Sequence, residues 1–525
     1  MARTDLLHRF QRLYRDFEAA DSARLARTPS RRELISRGAA IAAAAAVSAS
    51  SQAHAASAPR IVIVGAGIAG LNAALTLQDA GYATAIYEAS GRPGGRMHSD
   101  TTSWASGQVS EHCGELIDST HKTILGLAKR FKIPVADLSS AEPPQSTETY
   151  YFFGQRYTRD QANADFNAVY QAVKKDLTAA GFPTVYFSYT AAAAALDHIS
   201  VYDWIETRVP GGHGSKMGQL LDVAYNIEYG NETTAQSALN LVYLLGYQPI
   251  PGNFRMFGRS DERYHLAGGN EQLPRAIAAA LPAGSIRWNS ALTAIARNSD
   301  GTFNLTFKNS RAAVVADRVI LALPFSVLRN LDYSKAGFNA VKTTGIEQIG
   351  YGNNVKLHLQ FKSRLWNQSG PWGISNGSSF ADTGYQNTWD VTRAQDGSTG
   401  IVVDYTGGNT AASLIGAAGK QGVQAYALQF LNQLEPVFPG ITLQWNGIAT
   451  LDVPALDPNV QGSYSYWKVG QYTLFSGSER ERSGNCHFAG EHCSINFQGF
   501  MEGGAQEGAR AATEILEDYK AGIRA

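Results

Sequence analysis

An α/β fold is predicted for this 525-residue chain by three stretches of sequence. In Arg60–Arg96 an apolar run, Ile61–Val64, precedes glycines at 65, 67 and 70 and then a helical pattern, the order strand, glycine loop, helix. In Gly352–Leu451 β-branched and aromatic residues alternate, as in NVKLHLQF and GIVVDYTG, which predicts a sheet. In Ser119–Asp261 apolar residues recur at helical spacing, notably over Thr123–Phe131, Asp160–Leu177 and Lys216–Tyr229. The expected architecture is a Rossmann-like dinucleotide-binding domain with a β-sheet substrate domain and a helical insert. Residues 59–118, 262–340 and 455–520 would form the discontinuous nucleotide domain, 119–261 the helical cap, 341–454 the sheet-based domain, and 1–58 a leader.

Each part of the glycine loop has a mechanical task. One glycine permits the tight turn, one lets the backbone approach a pyrophosphate, and one lets the helix pack against the strand. The helix that follows, Leu71–Ala80, offers its N-terminal amides to the anion. Gly81 ends that helix, Ala83–Tyr87 forms a second strand, and Glu88 at its end is placed to accept from both ribose hydroxyls.

Behind Glu88 comes GRPGGR, Gly91–Arg96, two fixed cations among glycines that suit a loop wrapping a pyrophosphate. ExxGRxGGR after GxGxxG resembles the flavin monoamine oxidase superfamily, which includes monoamine, polyamine and L-amino-acid oxidases. The resemblance covers most of the chain after the leader. It implies FAD as cofactor, so that the discontinuous domain is FAD-binding. Its implied contacts in the loop are Gly65, Gly67, Ile68, Ala69 and Gly70. After the second strand they are Glu88, Ala89, Gly91, Arg92, Gly95 and Arg96, and farther along Ile295, Glu491 and Met501.

The returning elements of that domain are expected in order. Arg263–Leu281 reads as a glycine turn and amphipathic helix, Ile286–Phe307 as short strands, and Ala316–Leu331 as an apolar strand ending at Pro324. Asn485–Leu516 reads as strand, polar turn and long helix. Gly499, Gly503 and Gly504 would weaken a helix, so a close backbone approach to a ligand is the expected reason for them. The resemblance places Glu491 against the ribityl or phosphate part of FAD. It also turns the helix N-terminus toward the flavin, where its dipole would stabilise negative charge.

Forty-five basic and 45 acidic residues balance, so no nucleic-acid partner is expected. In the leader, Ser30–Ile35 (SRRELI) resembles a twin-arginine signal, followed by the apolar run Gly38–Val47 and the small-residue site Ala53-His54-Ala55. That run is short for a permanent membrane span, and the reading is bacterial export to the periplasm or beyond. Leu6–Arg27 reads as a charged amphipathic helix. Cys113, Cys486 and Cys493 are too few for a disulfide framework and are read as ordinary thiols. No metal is expected, because no residues have ligand spacing.

The resemblance implies oxidative deamination: hydride transfer from the amine-bearing carbon to flavin N5, imine hydrolysis, and reduction of O2 to hydrogen peroxide. It places Tyr464 and Phe500 as aromatic walls, with Trp467 and Tyr466 nearby, and Lys356 in NNVKLHLQF as the lysine that holds a water. Monoamine oxidases usually carry tyrosine at both walls, so Phe500 is a departure. Ser463 stands where mammalian monoamine oxidases attach flavin through cysteine, which implies non-covalent FAD.

Substrate class turns on Glu111–His121. L-amino-acid oxidases carry an arginine there that clamps a carboxylate, and this chain has Leu116 instead. Glu115 and Asp118 are the expected anchors for a cationic tail, so the reading is an amine oxidase for a diamine, polyamine or similar substrate. The alternative is an L-amino-acid oxidase, including one for basic amino acids, with its carboxylate held by Arg255 or Arg263. A flavin desaturase or a non-catalytic FAD-binding protein ranks lower. O2 is the expected co-substrate, and a homodimer is one expected assembly.

Overall fold

Ile61–Val64 is buried at all four positions because it lies in the middle of a parallel sheet, covered on both faces. The computed structural model describes residues 59–250, 252–417 and 422–523, so the expected leader and its twin arginines lie outside the described residues. The sheet runs in the order Cys486–Phe488, Arg318–Leu321, Ile61–Val64, Thr84–Tyr87, Ile286–Arg287. Adjacent strands are parallel throughout. Three of these strands come from sequence more than 200 residues downstream of the first, as a discontinuous nucleotide domain requires.

The helix after the glycine loop spans Ile68–Asp79 and packs against the long C-terminal helix, Met501–Lys520. Their approach is close enough that a Cβ on Gly508 would lie 2.0 Å from the Ala69 carbonyl oxygen. Gly503 is equally constrained, since a Cβ there would sit 2.1 Å from the carbonyl oxygen of Phe497. The glycines of this helix therefore serve chain-to-chain packing, and of the three expected to approach a ligand only Gly499 and Gly504 line the cavity described below.

A seven-stranded sheet forms the second layer, in the order Trp445–Asp452, Val355–Phe361, Gly400–Thr406, Asn387–Asp390, Ser375–Ala381, Thr147–Phe152, Gln155–Tyr157. The last two strands fall within 119–261, the segment expected as a helical cap. TETYYF buries Tyr150 and Phe152 by strand alternation and joins the sheet edge. Val135–Asp137 is a further strand, paired with Tyr264–Leu266, and the other regular elements of that segment are helical. Arg159–Ala180 opens with a capping box between Thr158 and Gln161, and Lys216–Tyr229 has the predicted bounds. A separate four-stranded sheet, built from 292–297, 303–307, 314–316 and 332–335, sits beside the nucleotide layer. Cys113, Cys486 and Cys493 are free thiols. No described helix is long and apolar enough to cross a membrane.

Two glycine substitutions separate packing from propensity. Gly508→Ala is expected to destabilise the protein by about 1–3 kcal/mol by forcing the two helices apart. Gly126→Ala, exposed in Lys122–Arg130 with nothing within 4 Å of the new Cβ, is expected to stabilise by about 0.5–1 kcal/mol. Thermal or denaturant unfolding of both variants checks the pair.

Candidate active site

At the carboxyl ends of the parallel strands opens a cavity of about 780 Å³, the place where nucleotides bind in such sheets. Its first section is a cradle of backbone. Gly65 has φ +104°, and a Cβ there would lie 2.6 Å from the Ala322 carbonyl oxygen, so only glycine fits the turn. Gly67 caps the helix without a side chain, leaving first-turn amides of Ile68 and Ala69 for an anion. Glu88 accepts from the Ala66 amide at 2.7 Å, the Ser90 amide at 2.8 Å and Ser90 Oγ at 2.7 Å. A carboxylate has about four acceptor sites, so Glu88 keeps one for an incoming hydroxyl where the sequence reading expected two. Ala89, Arg92, Gly95 and Arg96 also line this section.

Three expected cofactor contacts are not among the lining residues. Gly70 lets the helix close on the loop, since its Cβ would fall 2.0 Å from the Gly65 carbonyl oxygen. Gly91 lies outside the cavity wall. Ile295 is buried in a core cluster with Val62 and Val319, and Leu292 of the same strand lines the cavity instead.

Glu491 closes the middle of the cavity. Arg96 Nη1 donates to its Oε1 at 2.9 Å and to the Ser463 carbonyl at 2.8 Å. Ser465 donates through its amide at 3.1 Å and its hydroxyl at 2.7 Å, and the Gly499 amide donates at 2.8 Å. Burial would raise the Glu491 carboxyl, but Arg96 and its other partners hold it below its ordinary value. With four donors the carboxylate is saturated. Glu491 therefore joins three loops, and its side chain has no acceptor site left for the ligand contact that the sequence reading assigned to it. Met501, at the start of the uncapped C-terminal helix, lines the same stretch.

Beyond the clamp the walls become aromatic. Tyr464 and Phe500 both line the cavity, together with Tyr229, Phe257, Trp389 and Tyr405. Tyr464 is held by hydrogen bonds to the Tyr405 hydroxyl at 2.9 Å and the Ile227 carbonyl at 3.1 Å. Trp467 is not part of this wall. It is buried against Phe475 and Tyr472, and Tyr466 turns away to bond Asn231.

Lys356 reaches the cavity from a strand buried at every position. Its Nζ donates to Glu115 Oε2 at 2.7 Å and to the Glu111 carbonyl at 3.1 Å. Trp389 Nε1 donates to the other Glu115 oxygen at 2.8 Å. Burial pushes the Glu115 carboxyl up, and Lys356 with Trp389 outweighs it, so the carboxyl stays below its usual range. Glu115 is thus the counter-ion of Lys356, which corrects its reading as a substrate anchor. Two of the three ammonium protons are used, and one remains.

Asp118 is also corrected. It is buried outside the cavity wall and accepts from Ser260 Oγ at 2.9 Å and from the amides of Asp261 and Glu262 at 3.2 and 2.9 Å. Burial pushes its carboxyl up to about 6 against those donors. It pins the turn that carries Glu262, whose φ of +44° is uncommon for a non-glycine residue. Such strain, held by neighbours, collects at functional positions.

Sequence reasoning missed Glu262, and with it Glu228 on the last turn of Lys216–Tyr229. Both line the aromatic section, and among the described residues neither carboxylate has a hydrogen-bond or ion-pair partner. Burial first, and then Asp118, push Glu262 up to about 8. Burial and then Glu262 push Glu228 well above the usual carboxylate range. No motif flags Glu228, which reads as one more polar helix residue. Leu116 lines the cavity, whereas Arg255 and Arg263 do not. Arg263 instead pairs with Asp137 at 2.6 Å.

Open first-turn amides, a glycine-only turn and an acid at the second strand end fit a dinucleotide. A family profile described as flavin containing amine oxidoreductase matches residues 68–516. The L-amino-acid oxidase of Siganus canaliculatus is 24% identical over 495 residues, covering 88% of this chain and 86% of that protein. Cyclohexylamine oxidase from Brevibacterium oxydans shares the fold with a TM-score of 0.76 at 20% identity, over 88% of this chain and 99% of that one. A putrescine oxidase solved with putrescine bound shares it with a TM-score of 0.75 at 18% identity, over 87% and 99%.

Glu115→Gln is expected to destabilise the protein by about 3 kcal/mol, because it leaves the Lys356 ammonium buried without a counter-ion. Adding Lys356→Met should recover most of that loss in denaturant unfolding. A double variant no more stable than the single one would contradict the pairing.

Proposed function

The chain belongs to the flavin-containing amine oxidoreductase family and is a flavin-dependent amine or amino-acid oxidase, and from that premise we propose that it oxidatively deaminates amines carrying a second cationic group. The single observation behind this reading is charge at the aromatic end of the cavity. Among the described residues Glu228 and Glu262 are without partners there, while Lys356 at that end already has Glu115. A carboxylate pair pushed toward neutrality by burial and mutual repulsion regains its charge when an ammonium enters between the two groups.

The cofactor is FAD, which when bound takes the hydride from the amine-bearing carbon and passes two electrons to O2. In our reading Gly65, Gly67, Ile68 and Ala69 hold its pyrophosphate through backbone amides, and Glu88 holds a ribose hydroxyl. Arg92, Gly95 and Arg96 wrap its other side, and Ser463 leaves it unattached, since its hydroxyl donates to Asn354 at 2.6 Å. Tyr464 and Phe500 bound the slot for the uncharged amine, where aromatic rings suit the positive charge that develops on the iminium as the hydride leaves. Lys356 offers its third N–H to a water that serves imine hydrolysis.

A second reading, L-amino-acid oxidation, is favoured by the L-amino-acid oxidase among the relatives. It requires a carboxylate anchor other than Arg255 or Arg263, and Lys356 would have to exchange Glu115 for the substrate. The order of twin arginines, apolar run and small-residue site before Ala58 further supports export of the folded, FAD-loaded protein.

Peroxide release tests the proposal. Glu228→Gln and Glu262→Gln are each expected to raise KM for a diamine about 10- to 100-fold, the worth of one desolvated charge contact. The KM of a monoamine of equal length and kcat for either substrate should change little, as for an interaction made equally in ground and transition states. Equal effects on both amines would sink the assignment.

A further inference from the structure

Behind the sheet that carries Lys356 lies a second pocket, of about 50 Å³, between Gly400–Thr406 and the helices Gly408–Ala417 and Val423–Leu434. Asp404 and Thr406, two residues apart on one strand, face it from the same side. Tyr426 faces it from the second helix. All three are buried, at 4%, 1% and 4% exposure. Asp404 Oδ1, Thr406 Oγ1 and the Tyr426 hydroxyl have no hydrogen-bond partner, and no described cation pairs with Asp404. Three orphaned oxygens around one space are rare, because each unsatisfied buried polar group costs stability.

We propose that this pocket binds a monovalent inorganic cation, Na⁺ or K⁺, on Asp404, Thr406 and Tyr426. Thr410, Ser413, Gln429 and Gln433 also line the pocket and carry the hydroxyl and amide oxygens that would complete the shell. Ser413 Oγ donates to the Thr410 carbonyl and keeps its lone pairs for the ion. Charge selects the class of ion. One carboxylate neutralises one positive charge, a divalent ion would leave a buried excess, and an anion would face Asp404 directly. The small volume, about 50 Å³, disfavours a bulky organic cation. Exposed Ser413 and Gln429 give a path from solvent.

The ion would also buttress the catalytic face. Asp404 is the cross-strand partner of Leu357, the residue after Lys356. Without a cation, burial pushes the Asp404 carboxyl up to about 8. The titratable groups near it are Tyr426 from the helix and Tyr385 from the neighbouring turn, and burial pushes the Tyr385 hydroxyl up.

The test compares the thermal midpoint of the purified, FAD-loaded full chain at pH 9 in KCl, NaCl and choline chloride of equal ionic strength. Wild type is expected to unfold about 2 °C or more higher in K⁺ or Na⁺ than in choline. Asp404→Asn should show the same midpoint in all three salts. Thr406→Val, which removes one ligand and keeps the carboxylate, should show a reduced ion response and decides the matter if Asp404→Asn does not fold. Identical wild-type midpoints in all three salts would mean that the pocket takes up no alkali cation, and the proposal fails. It fails equally if either variant keeps the full ion response.

Discussion

The structure depends most on a carboxylate that binds no substrate. Glu491 gathers Arg96 from the glycine-rich loop, Ser465 from the aromatic loop and Gly499 from the turn before the C-terminal helix, the first of them hundreds of residues away in the chain. A buried carboxylate is tolerable only when its lone pairs are filled and its charge is matched. Here that requirement makes the geometry stiff. Tyr464 lies next to Ser465 and Phe500 next to Gly499, so the same four hydrogen bonds that satisfy Glu491 set the positions of both aromatic walls.

A second buried pair, Lys356 with Glu115, works by the same rule, and the contrast with Glu228 and Glu262 carries the functional argument. Where a protein gives both oxygens of two buried carboxylates a partner and leaves two others bare in the same cavity, the bare ones are the places where charge is to arrive. Asp118 supports this indirectly. By accepting from the amides of residues 261 and 262 it holds Glu262 at φ +44°, a conformation that its own chain would not choose.

The nucleotide half was legible in the sequence because glycines in a turn, an acid at a strand end and a parallel strand buried on both faces each leave a local pattern. The long helices were legible for the same reason. Thr147–Tyr157 was not, because two short strands inside a helical stretch declare themselves only when a distant sheet offers an edge. The site was half legible. Lys356, Tyr464 and Phe500 follow from the resemblance, but Glu115 and Asp118 drew attention as acids near the substrate mouth when their partners, Lys356 and the 260–262 turn, are remote in sequence. Glu228 and Glu262 carry no motif, and what marks them is the lack of a partner in three dimensions.

Anaerobic reduction of the bound flavin isolates the substrate step from oxygen chemistry and tests the central claim most directly. The wild-type protein should bleach with a diamine at far lower concentration than with a monoamine of equal length or with an L-amino acid bearing a neutral side chain. Bleaching by neutral L-amino acids with none by diamines would contradict the account and give the cavity to a carboxylate.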